Sequence, residues 1–285
     1  MRFAFAGFDL WCGVFDAFVA AGWQPLAVFT MPVDNRQDFN EEVVARAQGH
    51  GVPVRMSAIR ADDLRVLAEQ GCEVLVVAGH AWRVPDWRAY LRHAVNFHPS
   101  PLPEGRGPYP LFRALLEARR AWAVSCHCLA PEFDAGEILA AEPVALSAEE
   151  CHETFQLKLQ LAAARLAGRV ARDFAGLWQA RRAQAAGSYW PRITDAERTL
   201  DFRRPVADNL RVARACGPHE CIAPVLGGAP LYVRRAAGWA EPHAFEPGTI
   251  VHHYRRKLVV AARDGFVALL EWSALPAAAR HGLGT

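Results

Sequence analysis

Lysine is nearly missing from this sequence of 285 residues: Lys158 and Lys257 are the only two among 32 Lys plus Arg. An excess of either charge is also lacking, since 30 Asp plus Glu leave a net +2 and charged residues make up 22% of the chain. That balance excludes a disordered tail and a bulk polyanion binder. No stretch reaches the ~18 uncharged apolar residues of a membrane-spanning helix. The opening residues, Met1 to Gly7, lack the charged n-region and longer h-region of a secretory signal. The seven cysteines are odd in number, scattered, and nowhere spaced Cys-x-x-Cys, which argues against a disulfide framework. Buried free thiols in a reducing compartment are expected instead, and with them a cytoplasmic protein that does not touch membrane. Gly 21 and Pro 19 are ordinary counts and exclude collagen-like or low-complexity architecture.

What is present is core-forming material. Hydrophobic residues are 52% of the chain, and at ~150 residues per domain the length allows one large domain or two ordinary ones. The first half alternates strand-like and helix-like segments. Phe3 to Ala6 reads as a buried strand, Val14 to Ala21 as a helix, and Pro25 to Thr30 as a second strand. Helical patterns follow over Glu41 to Gln48 and Ala61 to Gln70, then the apolar run Val74 to Ala78, then a strand over Ala94 to Phe97. A continuous β-branched run suits a central parallel strand covered on both faces. The order predicts an α/β fold with a doubly wound, mostly parallel sheet, whose ligands sit at the carboxyl ends of the strands. The first turn, Ala6 to Gly13, carries no Gly-x-Gly-x-x-Gly, and no P-loop occurs elsewhere, so nucleotide cofactors are a weak reading.

An amphipathic helical stretch runs from about Glu149 to Leu177, and Gly187, Ser188 and Pro191 break it. After a short helix near Val206 to Ala215 the texture changes to short strands punctuated by Gly and Pro, which predicts a small β-barrel. The expected division is a catalytic domain over 1–186, a linker over 187–204 and a β-barrel domain over 205–285.

The chemistry-bearing segment is Asn96 to Pro110, directly after a buried strand. Asn96 and His98 are two apart, so in extended chain their side chains project to one side. An amide donor beside an imidazole suits attack on a carbonyl: one steadies the developing oxyanion while the other handles a proton. Arg106, between two glycines, is free to meet an anion. Asp134, in the turn Phe133-Asp134-Ala135-Gly136, supplies a carboxylate to orient His98. Each piece alone also reads as a turn former.

Together the pieces resemble a known family. Asn-x-His-Pro-Ser-x-Leu-Pro-x-x-Arg-Gly-x-x-Pro over 96–110, followed 36 residues after His98 by Asp-x-Gly-x-Ile, is similar to the folate-dependent formyltransferases. Met1 to Thr30 resembles their first β-α-β unit, Tyr189 to Thr194 with Leu200 to Phe202 their interdomain linker, and Pro247 to Ile250 with Asp264-Gly265 their carboxyl-terminal barrel, of the OB type. The resemblance implies transfer of a formyl group from 10-formyltetrahydrofolate to an amine, with Asn96, His98 and Asp134 as the catalytic set. It implies a donor site along Ala81, Trp82, Arg83 and Val84, along Pro131, Glu132 and Phe133, and beside Leu102.

It also bears on the acceptor. Members that formylate tRNA carry a long basic insertion after the second strand, whereas Met31 to Glu42 here is short and acidic. Residues 201–285 hold 11 Arg plus Lys against 7 Asp plus Glu, a surplus of +4 that leaves −2 for the first 200 and is modest for gripping RNA phosphates. The favoured acceptor is a small amine, either a nucleotide-linked amino sugar or a hydroxyornithine-like amino acid. Arg106 suits a phosphate or carboxylate on it as a substrate-binding residue, while the resemblance equally implies a structural arginine there. Methionyl-tRNA is the less favoured partner. A hydrolase of the same donor and a silent folate-binding homologue are further alternatives. Cys126-His127-Cys128 holds metal-ligand types, but on a strand His127 points away from the two thiols, so no metal is expected.

Overall fold

The computed structural model describes residues 1–33 and 39–276. Residues 34–38, the middle of the loop read above as short and acidic, lie outside the described residues. The chain divides into two compact units, one made of 1–110, 121–145 and 157–190, the other of 111–120, 146–156 and the residues from 191 onward.

The first unit contains a seven-stranded sheet. Its strands are β1 (Arg2–Gly7), β2 (Gln24–Phe29), β3 (Val54–Arg55), β4 (Val74–Ala78), β5 (His93–His98), β6 (Ala121–Cys128) and β7 (Ile138–Ala145). They lie in the order β3-β2-β1-β4-β5-β6-β7. Pairing is parallel from β3 through β5, then antiparallel for β5–β6 and β6–β7, so the sheet is mixed but mostly parallel. Helices α1 (Cys12–Ala20), α2 (Glu41–Gly49) and α3 (Ala61–Glu69) make the crossovers. The strand order reverses between β1 and β4, which is where open sheets of this kind leave a crevice at their carboxyl ends.

Alternation along β1 explains both layers. Phe3 and Phe5 face α1, where Phe3 lies 5.7 Å from Phe15 and 5.6 Å from Phe18 between ring centres. Ala4 and Ala6 face the opposite way, into a cluster with Leu64, Leu67, Leu75 and Val77. Each fully buried phenylalanine contributes about 1.5–3 kcal/mol relative to exposure. Small residues fit where strands and turns crowd. A Cβ on Gly7 would sit 2.4 Å from the Ala78 carbonyl, so the end of β1 tolerates no side chain. Asp9 follows it and accepts the N–H groups of Glu42 and Val43 at 3.0 and 2.8 Å, satisfying the open donors that start α2.

Helix α4 (Pro110–Leu116) and the long α5 (His152–Arg172) come next, with α6 (Phe174–Gln179) after it. The short β3 and α4 were not anticipated, because neither is long enough to show a periodicity.

The second unit contains α7 (Val206–Cys216) and an antiparallel sheet of β8 (Cys221–Ala223), β9 (Leu231–Ala240), β10 (Ile250–Tyr254), β11 (Lys257–Ala262) and β12 (Gly265–Ser273). The order is β10-β11-β12-β9-β8, and no ladder among the described residues pairs β8 with β10. Asp264, in the β11–β12 turn, accepts the Val206 N–H at 2.8 Å and so anchors the start of α7. No helix among the described residues is long and apolar enough to cross a membrane. All seven cysteines are free.

Five histidines have their proton affinity lowered, in each case mainly by burial: His80 and His219 to about 4, and His93, His98 and His152 below the ordinary value. Each binds its proton more weakly folded than unfolded. Stability is therefore complete above the unfolded value of ~6.5 and falls as the pH drops through it. Urea unfolding followed between pH 7.5 and 5 should show the midpoint falling on the acid side, and a flat midpoint would contradict it.

Candidate active site

Strand β5 ends in Asn96-Phe97-His98, and the pleat places Asn96 and His98 on one face while Phe97 enters the core against Phe18. The antiparallel register sets His127 of β6 directly opposite Asn96, and cross-strand partners share a face. The turn between β6 and β7 then carries Asp134 back over this face.

The four side chains converge. The Asn96 Nδ2 group donates to Asp134 Oδ1 at 3.3 Å and lies 3.1 Å from His127 Nε2. His98 Nδ1 is 3.4 Å from the same Asp134 oxygen, and His127 Nε2 is 3.6 Å from it. The Gly107 N–H donates to Asp134 Oδ2 at 3.0 Å. Both rings also have fixed outer partners. His98 Nε2 faces the Gly105 carbonyl at 2.9 Å, and His127 Nδ1 faces the Cys128 carbonyl at 2.8 Å. A carbonyl only accepts, so each of these nitrogens carries the hydrogen. The variable proton of His98 therefore belongs to Nδ1, the nitrogen that looks at Asp134.

Electrostatics follow from that geometry. Burial alone would raise the Asp134 pKa, but His98, His127 and the Gly107 N–H outweigh it and bring the carboxyl down to about 2. His98 is lowered by its own burial, against the opposing pull of Asp134 and the Gly105 carbonyl. At neutral pH the site thus holds an ionised carboxylate beside an unprotonated imidazole, the pairing that accepts a proton and then stabilises it.

Backbone conformation holds the carboxylate in place. Asp134 has a φ of +56°, a left-handed value unusual for any residue with a side chain. Gln184 secures this turn by donating Nε2 to the carbonyls of Asp134 and Gly136 at 2.8 and 2.6 Å. A Cβ at Gly136 would lie 1.9 Å from the Cys128 carbonyl, so only glycine lets the turn close on β6. Arg106 donates through Nε and Nη2 to Gln184 Oε1 at 3.0 and 2.7 Å, and through Nη2 to the Ala185 carbonyl at 3.3 Å. Of the two uses expected for Arg106, these bonds are the structural one.

The segment 187–190 runs alongside the 105–107 loop. Arg106 N–H donates to Ser188 O at 3.0 Å, Trp190 N–H returns to Arg106 O at 2.6 Å, and the Ser188 hydroxyl accepts Gly105 N–H at 3.0 Å. The ring of Trp190 stacks on Trp122 at 5.5 Å. Residues expected to open a linker therefore brace the loop that supplies the Gly107 N–H.

With this geometry in view, the comparisons are informative. The family model described as formyl transferase matches residues 34–170. The methionyl-tRNA formyltransferase of Roseobacter denitrificans is 30% identical over 237 residues, covering 80% of this chain and 77% of its own. The chain belongs to the folate-dependent formyltransferase family. It is accordingly a formyl-transfer enzyme. Two solved structures share the fold. HypX from Aquifex aeolicus, as a multiple variant, aligns with a TM-score of 0.69 at 17% identity over 99% of this chain, which spans about half (47%) of that one. The N-formyltransferase from Helicobacter canadensis, solved with folinic acid and dTDP-3-aminofucose, aligns at 0.68 with 12% identity, covering 95% and 99%.

The expected donor-site residues of this family member fall in two loops and one buried position. Ala81 to Val84 follow β4, and Pro131 to Phe133 precede Asp134. The Arg83 guanidinium lies over the Phe133 ring at 4.7 Å, so the two loops meet. Leu102 is buried, and its N–H donates to Ser125 Oγ at 3.1 Å. Cys126 and Cys128 are buried with thiol pKa values raised chiefly by burial, and the described residues hold no cluster of three metal-ligand types. His127 and Gln184 escaped the sequence reading. The first was legible only as a residue opposite two thiols, and the second carries no motif.

Gln184→Leu should leave two carbonyls without a donor and cost about 1–3 kcal/mol by urea unfolding. An unchanged unfolding midpoint would remove Gln184 as the support of the Asp134 turn.

Proposed function

We propose that this enzyme moves the formyl group of 10-formyltetrahydrofolate onto the amine of a small molecule, a nucleotide-linked amino sugar or a hydroxyornithine-like amino acid. One observation carries the reading: Asn96 and His98 each approach Asp134 Oδ1, at 3.3 and 3.4 Å, in an arrangement that leaves His98 Nδ1 open to a proton. The donor would lie along Ala81 to Val84 and Pro131 to Phe133, with Leu102 behind it.

The steps follow from the side chains. The neutral amine attacks the formyl carbon, and the formyl oxygen gains negative charge. An N–H of the Asn96 amide stabilises that charge, which exists only in the tetrahedral species and so accelerates the chemical step. His98 takes the amine proton on Nδ1, and the resulting imidazolium is stabilised by Asp134 beside it. Collapse breaks the bond from the formyl carbon to the folate nitrogen, and that nitrogen receives the proton held by His98 as tetrahydrofolate leaves, which restores the neutral imidazole. Burial of His98 keeps it unprotonated before the reaction, so activity should fall only when the pH is low enough to protonate it.

The acceptor reading rests on the short acidic segment after β2 and on the modest basic surplus of the carboxyl-terminal residues. We also read the five-stranded sheet as part of a small barrel, supported by the Leu226 N–H, which donates to Gly248 O at 2.9 Å and ties the chain after β8 to the chain before β10.

His98→Ala should lower turnover roughly 10²–10⁴-fold, measured as tetrahydrofolate release in the presence of the amine; near-normal turnover removes His98 from the mechanism. A screen of amino-sugar nucleotides, hydroxyornithine and methionyl-tRNA with the folate donor decides the acceptor. Acceptor-dependent release with a small amine is expected. Release with methionyl-tRNA alone would overturn that choice, and release without any amine would indicate a hydrolase.

A further inference from the structure

An asparagine can serve an oxyanion only with its NH₂ end turned the right way, and the two ends of an amide have the same shape. What fixes the orientation must be a neighbour that tolerates one end and rejects the other. His127 has the properties required. Its Nδ1 donates to the Cys128 carbonyl at 2.8 Å, which leaves Nε2 a lone pair in the neutral ring. That lone pair lies 3.1 Å from Asn96 Nδ2. A flipped Asn96 would bring its own oxygen against this lone pair and against the Asp134 carboxylate, three acceptors with no hydrogen among them. The amide, at 3.1 Å, is nearer to His127 Nε2 than Asp134 Oδ1, which lies at 3.6 Å. His127 is itself buried, and the β5–β6 register sets it directly across from Asn96.

We propose that His127 is a positioning residue that holds one hydrogen of the Asn96 amide on its Nε2, so that the other hydrogen is the one delivered to the developing oxyanion. This inference rests on the formyl-transfer reading of the site and assigns it a fourth member. The two hydrogens are unequal. The one on His127 has a 3.1 Å contact, whereas the one facing Asp134 spans 3.3 Å to an oxygen that His98 Nδ1 also approaches, at 3.4 Å. Once His98 gains its proton, its Nδ1–H can occupy Asp134 Oδ1, and Asn96 loses nothing by turning its outer hydrogen to the substrate. The bond to His127 is the pivot. Asp134 and His98 also face the ring across the site, and the only hydrogen bond of Nε2 among the described residues is the one with Asn96.

The test is a double-mutant cycle. His127→Phe keeps a ring but removes the acceptor, and should lower kcat roughly ten- to hundredfold while the donor KM stays within about twofold. His127→Gln offers an acceptor oxygen and should recover most of that loss. In an Asn96→Ala background the same His127→Phe change should cost less than about twofold, because nothing remains to be oriented. An equal loss with and without Asn96, or an unaltered kcat in His127→Phe, overturns the proposal. A second readout needs no turnover. Nitrogen NMR of the ligand-free wild-type protein should show His127 as the neutral Nδ1–H tautomer, and an Nε2–H tautomer overturns the proposal outright. If the wild-type enzyme transfers formyl to no amine, the reading of the site fails, while the tautomer still decides the contact between His127 and Asn96.

Discussion

The Asp134 carboxylate is mostly withdrawn from solvent, its side chain 11% exposed, and an isolated charge so placed would neutralise itself by taking up a proton. It stays ionised because the Asn96 amide and the Gly107 backbone N–H donate to it while two imidazoles stand close by. Much of the first unit can be understood as the cost of assembling those neighbours. Strand β5 supplies two of them, β6 the third, and the proline-dense loop the fourth. The turn that carries Asp134 accepts a left-handed backbone to reach them. Both imidazoles also have an outer backbone carbonyl as partner, which fixes their rings in place.

Support extends outward in layers. Arg106 holds Gln184, Gln184 holds the Asp134 turn, and the 187–190 segment holds the loop from which Gly107 projects. The arginine at the centre of the motif is thus joined to the backbone of the Asp134 turn through one intervening amide. A residue that reads along the chain as available for a ligand also carries structural bonds in three dimensions.

Legibility varied with the distance over which each feature is determined. Strands β1, β2, β4 and β5 were readable because continuous apolar runs between Gly and polar turns encode burial locally. The same face for Asn96 and His98 follows from the period of a strand and needed no tertiary information. Asp134 was readable only through its family motif, since its approach depends on how β6 turns into β7. His127 shows the limit most plainly. Alternation correctly set it opposite Cys126 and Cys128, yet which surface that was depended on the register between β5 and β6, and nothing local fixes that register. Gln184 acts from 50 positions beyond Asp134 with no flanking pattern to mark it. The strands β3 and β8, of two and three residues, are too short to carry a period.

The brace at 187–190 has a consequence for how this protein tolerates change. A Cβ on Gly187 would strike the Pro103 carbonyl at 2.0 Å, and one on Gly107 would strike the Trp190 carbonyl at 2.3 Å. Two stretches some 80 positions apart are therefore fitted edge to edge with no room for a methyl group. Cutting the polypeptide after α6, at a point that looks harmless because it follows Asn96, His98 and Asp134, would strip away the backing of the 96–110 motif while leaving its letters intact.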